Sequence, residues 1–441
     1  MIRIPDRWTD GGAAFRFSPA RTAFPAVSDQ PEELITMSAS SNTSSSHEPR
    51  RARTTRAARL LVCATALGGA SHAALAQTSD LFLLDYFQGI PYATTGAYTP
   101  GVRLYGAVDQ SIGFTKGAQT AFVQQSGGEW TSKIGLYGVE DLVGGYRVRF
   151  ALENGFDAAT GKLGSTNTMF NREAWVGIGS AKTGELKFGL QDDVGVPLFV
   201  DVFGQVGTVS TVAYLTAWTY DLGPGASFEA ARLTNAVSYS SPWFGPLNAQ
   251  VALALHDAGS TAPTIQTKSI ALNYFDGHLF GTLSYIGNYG LNALTTSQYV
   301  RTDNFAAGLL YDRGNYVLSA GYSFLAPRLE GDRVASLYTL GALYRYLQRN
   351  DFRMELAYRD VAGAGSHSYG VTLGYDYNLS KRTALYVRGS LIHNTGTTPT
   401  YGKYPTMQPT VDNIATSYTG SEGTTAYQSP HLVLVGMYHK F

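Results

Sequence analysis

From about residue 101 onward, apolar and polar residues alternate with a period of two almost to the end of the chain. Between Pro246 and His256, Leu247, Ala249, Val251, Leu253 and Leu255 share one face, opposite Asn248, Gln250, Ala252, Ala254 and His256. Phe352, Met354, Leu356 and Tyr358 oppose Arg353, Glu355, Ala357 and Arg359, and Leu385, Val387, Gly389 and Leu391 oppose Ala384, Tyr386, Arg388 and Ser390. Period-two patterning places successive side chains on opposite faces of an extended strand. Strands of soluble sandwiches average about 5–6 residues, whereas these runs approach the roughly 9–11 that a tilted strand needs to cross a bilayer.

The spacing of the runs constrains the fold further. Strands are expected near 101–114, 131–140, 144–153, 170–180, 184–191, 233–241, 246–256, 267–276, 278–288, 300–311, 315–324, 333–346, 351–360, 367–377, 382–392 and 430–441, sixteen in all. Longer connections (115–130, 154–169) alternate with tight ones (141–143, 181–183) that carry breakers such as Gly277, Asp312-Arg313-Gly314 and Asn378-Leu379-Ser380. Short turns on one side and long loops on the other, joining an even number of antiparallel strands, point to an all-β transmembrane barrel. Closure is required because lipid offers no partner to a free strand edge. Charged residues are only 15% of the chain while Gly and Tyr number 49 and 29, which suits alternation and not helical membrane spans.

One connection stands apart. Residues 192–232 mix Val194, Phe199, Phe203, Tyr214 and Trp218 with Asp201, Asp221 and Glu229. A loop of that length in a compact fold is functional or disordered. Its aromatic content argues against disorder, and the barrel interior is the surface available to it.

The N-terminal part reads as an address. Residues 38–50 are rich in Ser and Thr; the basic run Arg50, Arg51, Arg53, Arg56, Arg59 precedes an apolar stretch from Leu60 to Ala70 and then Ala74-Leu75-Ala76. This is the layout of a secretory signal peptide over 37–76, cleaved after Ala76, with 1–36 a mis-called start ahead of Met37. The apolar run is too short, and its downstream flank too polar, for a transmembrane anchor. Cys63, the one cysteine, falls inside the signal, so the mature chain has neither a disulfide nor thiol chemistry. Cleavage leaves 24 basic against 27 acidic residues, a balance that gives no reason to expect nucleic acid as a partner.

Several stretches resemble the trimeric general porins of Gram-negative outer membranes, in the form common among β-proteobacteria. Val102-Arg103-Leu104-Tyr105-Gly106-Ala107-Val108-Asp109 resembles the opening strand of that family. Lys133-Ile134-Gly135-Leu136-Tyr137-Gly138-Val139-Glu140-Asp141-Leu142 resembles the second strand and its turn, and Phe150-Ala151-Leu152-Glu153-Asn154-Gly155-Phe156 the end of the third. Phe170-Asn171-Arg172-Glu173-Ala174-Trp175-Val176-Gly177 is the most specific match, and Ser241-Pro242-Trp243-Phe244-Gly245 is similar to the turn after strand six. Phe441, with Met437 and His439 at alternate positions before it, resembles the terminal signal read by barrel-assembly machinery.

The resemblance implies a sixteen-stranded barrel with a long third loop folded into the lumen as a constriction. It also implies a homotrimer seated among outer-membrane lipid and lipopolysaccharide, and passive diffusion of ions and small hydrophilic solutes without any cofactor. In the family, acidic groups on that loop face basic groups on the wall. Here the acidic side would be Asp201, Asp221 and Glu229. By motif position the basic wall would hold Lys133 and Arg232, joined by Arg103, Arg147 and Arg149 from the polar faces of their strands. Opposed charges across a narrow aqueous gap make a transverse field that sorts ions. The chain departs from the pattern twice: Gly189-Leu190-Gln191 stands where members carry Gly-Arg-Gln, and residues 77–100 form an extension ahead of the barrel.

No catalytic constellation emerges. His256, His278, His367, His393, His431 and His439 show no metal-ligand spacing, and Gly363-Ala364-Gly365 lies in a loop, not before a helix. A barrel enzyme would need a Ser/His pair on the lipid-facing wall; His431 and His439 do lie on the apolar face of the last strand, but near its ends. The rival readings are a substrate-specific channel and a structural or adhesive barrel whose loops 192–232 and 393–429 bind outside partners.

Overall fold

The computed structural model describes residues 100–116, 120–165, 167–196, 201–203, 219, 222–227, 232–292, 295, 297–363, 366–395 and 431–441. The expected signal peptide, almost all of the 77–100 extension, and Asp221 and Glu229 lie outside these residues.

Among the described residues, seventeen strand segments run in chain order. They are β1 Gly101–Lys116, β2 Thr120–Ser126, β3 Lys133–Asp141, β4 Arg147–Gly155, β5 Glu173–Ser180, β6 Gly184–Asp192, β7 Arg232–Ser240, β8 Leu247–Leu255 and β9 Ile265–Phe275. Then follow β10 Leu279–Leu291, β11 Tyr299–Asp312, β12 Tyr316–Pro327, β13 Ala335–Tyr346, β14 Asn350–Val361, β15 Ser366–Asn378, β16 Thr383–Thr395 and β17 His431–Lys440. From β3 onward each strand pairs antiparallel with the next, and β17 returns to β1 from Ala107↔Lys440 to Lys116↔His431. The terminal residue completes the seam: the Phe441 and Gly106 amides each donate to the other's carbonyl, at 3.0 and 3.1 Å. The barrel is closed and has sixteen staves.

The seventeenth segment arises because the second stave is broken. β1 pairs with β3 from Gly101↔Val139 to Ala107↔Lys133, then with β2 from Gln110↔Ser126 to Lys116↔Thr120. Val108 and Asp109 of β1 therefore lie opposite six residues, Gly127–Ser132, which leave the sheet as an enlarged bulge. Where the sequence suggested one long connection over 115–130, the upper part of the stave comes first and the excursion follows. Gly127 permits the departure with φ of +84°, a left-handed conformation that L side chains rarely adopt.

The two faces of the wall are inverted relative to a soluble protein. On β14, Phe352, Met354 and Leu356 are exposed while Arg353, Glu355 and Arg359 are at most 8% accessible. Water outside the wall would penalise such an arrangement; hydrocarbon favours it. Two outward aromatic rows confirm where the lipid ends. Tyr316, Tyr344, Phe352 and Tyr375 pair across β12–β15 near the short-turn side, and Tyr322, Tyr338, Tyr358 and Tyr369 form the second row six residues away on each strand. Ring centroids of Phe352–Tyr375, Tyr322–Tyr338, Tyr338–Tyr358 and Tyr358–Tyr369 lie 5.0–6.2 Å apart. Aromatic girdles of this kind mark membrane–water interfaces.

Leu340, on β13 between the two rows, faces outward and is exposed. Leu340→Arg is expected to destabilise the folded barrel by about 2–4 kcal/mol, the range for a charge at the bilayer midplane. Denaturant titration of the protein refolded in phospholipid vesicles would measure it, and Tyr316→Arg at the girdle should cost clearly less.

Candidate functional site

Inside the barrel, the excursion delivers Glu129 and Trp130 to the far side of the closure seam. Asp109, fully buried on β1, holds the excursion in place. Its carboxylate accepts from the backbone amides of Glu129 (2.7 Å) and Trp130 (2.5 Å) and from the Tyr386 hydroxyl on β16 (2.5 Å). Ser132 adds a bridge, its hydroxyl 3.0 Å from the Asp109 amide and 3.1 Å from the carbonyl. Lys440 lies 3.7 Å above the Trp130 ring.

Glu129 then enters a cluster of four charges. Its carboxylate is 2.9 Å from Arg353 Nη1 and in contact with Arg388; Asp376 is 2.9 Å from Arg353 Nη2 and 2.6 Å from Arg388 Nη2. The strand register explains why the guanidiniums come together. Arg353 lies opposite Gly374, and Gly374 lies opposite Arg388, so no side chain separates them on β15. All four groups are nearly inaccessible, and burial on this scale is tolerated only when each charge is paired.

The cluster also touches the long connection between β6 and β7. Arg353 Nη1 donates to the Val202 carbonyl at 2.9 Å, and the Arg388 guanidinium sits 5.5 Å from the Phe203 ring centroid. Val202 and Phe203 are fully buried against Leu343, Val317, Leu310 and Phe280. Glycine makes room for them: a Cβ on Gly374 would stand 2.7 Å from Phe203 Cε1, and one on Gly341 3.1 Å from the Val202 methyls. Further along the connection, Gly225 donates to Asp332 (3.0 Å) and Ser227 to Thr302 (3.0 Å). Burial raises the Asp332 carboxyl above its ordinary range.

The residues expected for the charged wall are spread over the barrel. Lys133 pairs with Glu153 at 2.9 Å, and Arg172 shares that carboxylate at 2.5 Å. Arg149 binds Glu185 through Nε at 2.6 Å and donates to the Tyr137 hydroxyl at 3.2 Å. Arg147 pairs with Asp141 at 2.6 Å at the short-turn rim, both half exposed. Arg232 meets Asp192 at 3.2 Å at the base of the long connection, and Arg103 is half-buried on the inward face of β1. Asp201 is fully buried and accepts from the Phe203 amide at 2.6 Å. Leu190 adjoins the bulge between Gly189 and Gln191, and Gln191 is the inward group there. Met437, His439 and Phe441 all point outward, with His439 Nδ1 2.8 Å from Thr383 Oγ1.

Sequence reasoning assigned Arg353 and Arg388 to the polar faces of their strands without listing them for the site, and it missed Asp109, Glu129 and Asp376. Alternation carried the signal for the four strand residues. Nothing in the local sequence signals that Glu129 leaves the second stave for the lumen.

A closed antiparallel barrel with an apolar exterior and a charged interior is a membrane-spanning pore of the outer-membrane type. Residues 63–397 match the family model described as Gram-negative porin, and the chain belongs to that family. Outer membrane porin protein 32 of Delftia acidovorans is 28% identical over 312 residues, covering 66% of this chain and 84% of the relative. The solved anion-selective porin from Comamonas acidovorans superposes with a TM-score of 0.64 at 25% identity, over 77% of this chain and 99% of that one. OmpT of Vibrio cholerae, folded in vitro and solved in its trimer form, shares the fold at a TM-score of 0.51 and 13% identity, over 77% and 99%. The protein is thus an outer-membrane porin, a channel for passive diffusion.

Replacing Asp109 by Ala leaves three donors without their acceptor. The expected loss is on the order of 3 kcal/mol or more, at about 1–3 kcal/mol per unsatisfied buried group. A lower unfolding temperature and new protease cleavage within 127–132 would report it. Asp141→Ala, which removes only an exposed pair, should cost under about 1 kcal/mol.

Proposed function

We propose that solute passage is limited where the connection between β6 and β7 crosses the lumen, with Asp201, Asp221 and Glu229 on the loop side. Lys133, Arg103, Arg147, Arg149 and Arg232 contribute to the wall on the opposite side, from the short-turn rim to the base of the loop. The observation that carries this reading is the contact of Val202 and Phe203 with Arg353 on β14 and Arg388 on β16. The loop leaves from β6 and returns to β7, so these contacts lie far around the barrel from its roots. The protein acts as a channel and not as an enzyme.

The same reading makes the assembly a homotrimer set in lipid and lipopolysaccharide, inserted by barrel-assembly machinery that reads Met437, His439 and Phe441. The outward faces of β1, β3–β6, β16 and β17 support a subunit interface along that arc. They present Val102, Leu104, Ile134, Leu136, Val176 and Val435, and within these strands no outward tyrosine or tryptophan, the exposed Tyr146 lying in the turn between β3 and β4. A lipid-facing arc needs interfacial aromatics; an arc packed on another subunit does not. Leu136→Lys with Val176→Lys should therefore release monomers on native gels, while Leu340→Lys, on the girdled side, should leave the oligomer intact.

Purified full-length mature protein in planar bilayers should give ohmic steps that close in threes, and liposome-swelling rates should fall smoothly with sugar size. Phe203→Ala removes about 3 kcal/mol of anchoring and should split the steps into sub-levels while raising the size limit. Silence of the wild type, or current blocked by one solute class alone, would overturn the general-diffusion reading in favour of a structural or substrate-specific barrel.

A further inference from the structure

The inward excursion has a consequence for which ions pass. Arg353 and Arg388 face one another across Gly374, and Asp376 on β15 binds both of them. A wall built only from these strands would carry a surplus positive charge beside Val202 and Phe203. Glu129 removes that surplus. It comes from the six-residue departure of the second stave, 259 positions from Arg388 in sequence, and it touches both guanidiniums. The other charges nearby are matched in number, Asp109 and Asp351 against Lys440 and Arg345, with Asp351 directly opposite Asp376 on the neighbouring strand. Asp109 accepts from Tyr386 and two amides, Lys440 lies over Trp130, and Arg345 lies 3.8 Å from Asp351.

We propose that Glu129 is a selectivity-determining residue: carried into the lumen by the 127–132 excursion, it cancels the field of the Arg353–Arg388 pair and holds the channel's preference for anions down. The excursion is then a second element shaping the ion path, beside the long β6–β7 connection. Its anchoring is distinct from its charge. Asp109 grips the backbone amides of residues 129 and 130, so the Glu129 carboxylate can be neutralised while the excursion stays attached. This inference rests on the lumen being the ion path.

The test is the reversal potential in a tenfold KCl gradient for wild type, Glu129→Gln, Arg388→Gln and the double variant. One uncompensated charge at roughly 8 Å in water changes the local concentration of a monovalent ion about twofold. Glu129→Gln should raise the chloride-to-potassium permeability ratio by about that factor. Arg388→Gln should lower it by a similar factor, and the double variant should return to the wild-type value. If Glu129→Gln fails to insert, the opposite displacement of Arg388→Gln and its reversal in the double variant carry the same information. Reversal potentials that stay at the wild-type value in every inserting variant, with only step size or lifetime altered, would reduce the cluster to a structural buttress and overturn the proposal. A wild type that conducts nothing would instead overturn the channel reading beneath it.

Discussion

Backbone hydrogen bonding in a medium without water governs the rest of this structure. Every stave has to find two neighbours, because an unpaired amide or carbonyl in hydrocarbon costs several kcal/mol. Hairpins satisfy the condition for neighbours in sequence. Among the described residues, one pairing joins the first strand to the last, β1 with β17, and it extends over ten residue pairs plus the Phe441–Gly106 exchange. The apolar exterior, the aromatic rows and the crowded polar interior follow once that ring is closed, since closure fixes which face of each strand meets lipid.

Burial inside such a barrel has a different meaning from burial in a soluble core. The lumen faces of β14–β16 hold guanidiniums and carboxylates at near-zero accessibility, with Val202, Phe203 and the excursion packed against them. Charges confined in this way stay stable only with opposite charges in contact. The wall accordingly builds pairs around several of its basic residues: Lys133 and Arg172 on Glu153, Arg149 on Glu185, Arg301 and Arg328 on Asp303. A transverse field in this lumen depends on where pairing is incomplete, not on the number of basic residues.

That distinction separates what could be read from the sequence from what could not. Strand number, turn positions and the lipid face were legible because period-two alternation is local and lipid enforces it along each whole strand. Arg353 and Arg388 could be assigned to the inner face for the same reason. Their partners could not be: Glu129 lies in a stretch that reads as an ordinary loop, and its position depends on a register jump of β1 from β3 to β2. Lys133 and Arg232 resembled family wall positions, yet which carboxylate each one meets is set by side chains on neighbouring staves. The acidic loop residues show the same limit. Asp201 caps the Phe203 amide, a local role that no motif announces.

The charge cluster and the closure seam occupy the same place, and this links stability to permeation. Asp109 on β1 reaches Tyr386 on β16 across β17, and Glu129 reaches Arg388 from the excursion beside β1. Those bonds join residues 277 and 259 positions apart, so they form only when the ring does, and they reward the one pairing whose loop-closure entropy is largest. A continuous second stave would have kept residues 127–132 in the sheet and left the Arg353–Arg388 pair one carboxylate short. The broken stave gives up a few ladder hydrogen bonds and obtains a tie across the seam. The carboxylate that makes the tie also lowers the net charge beside the pore.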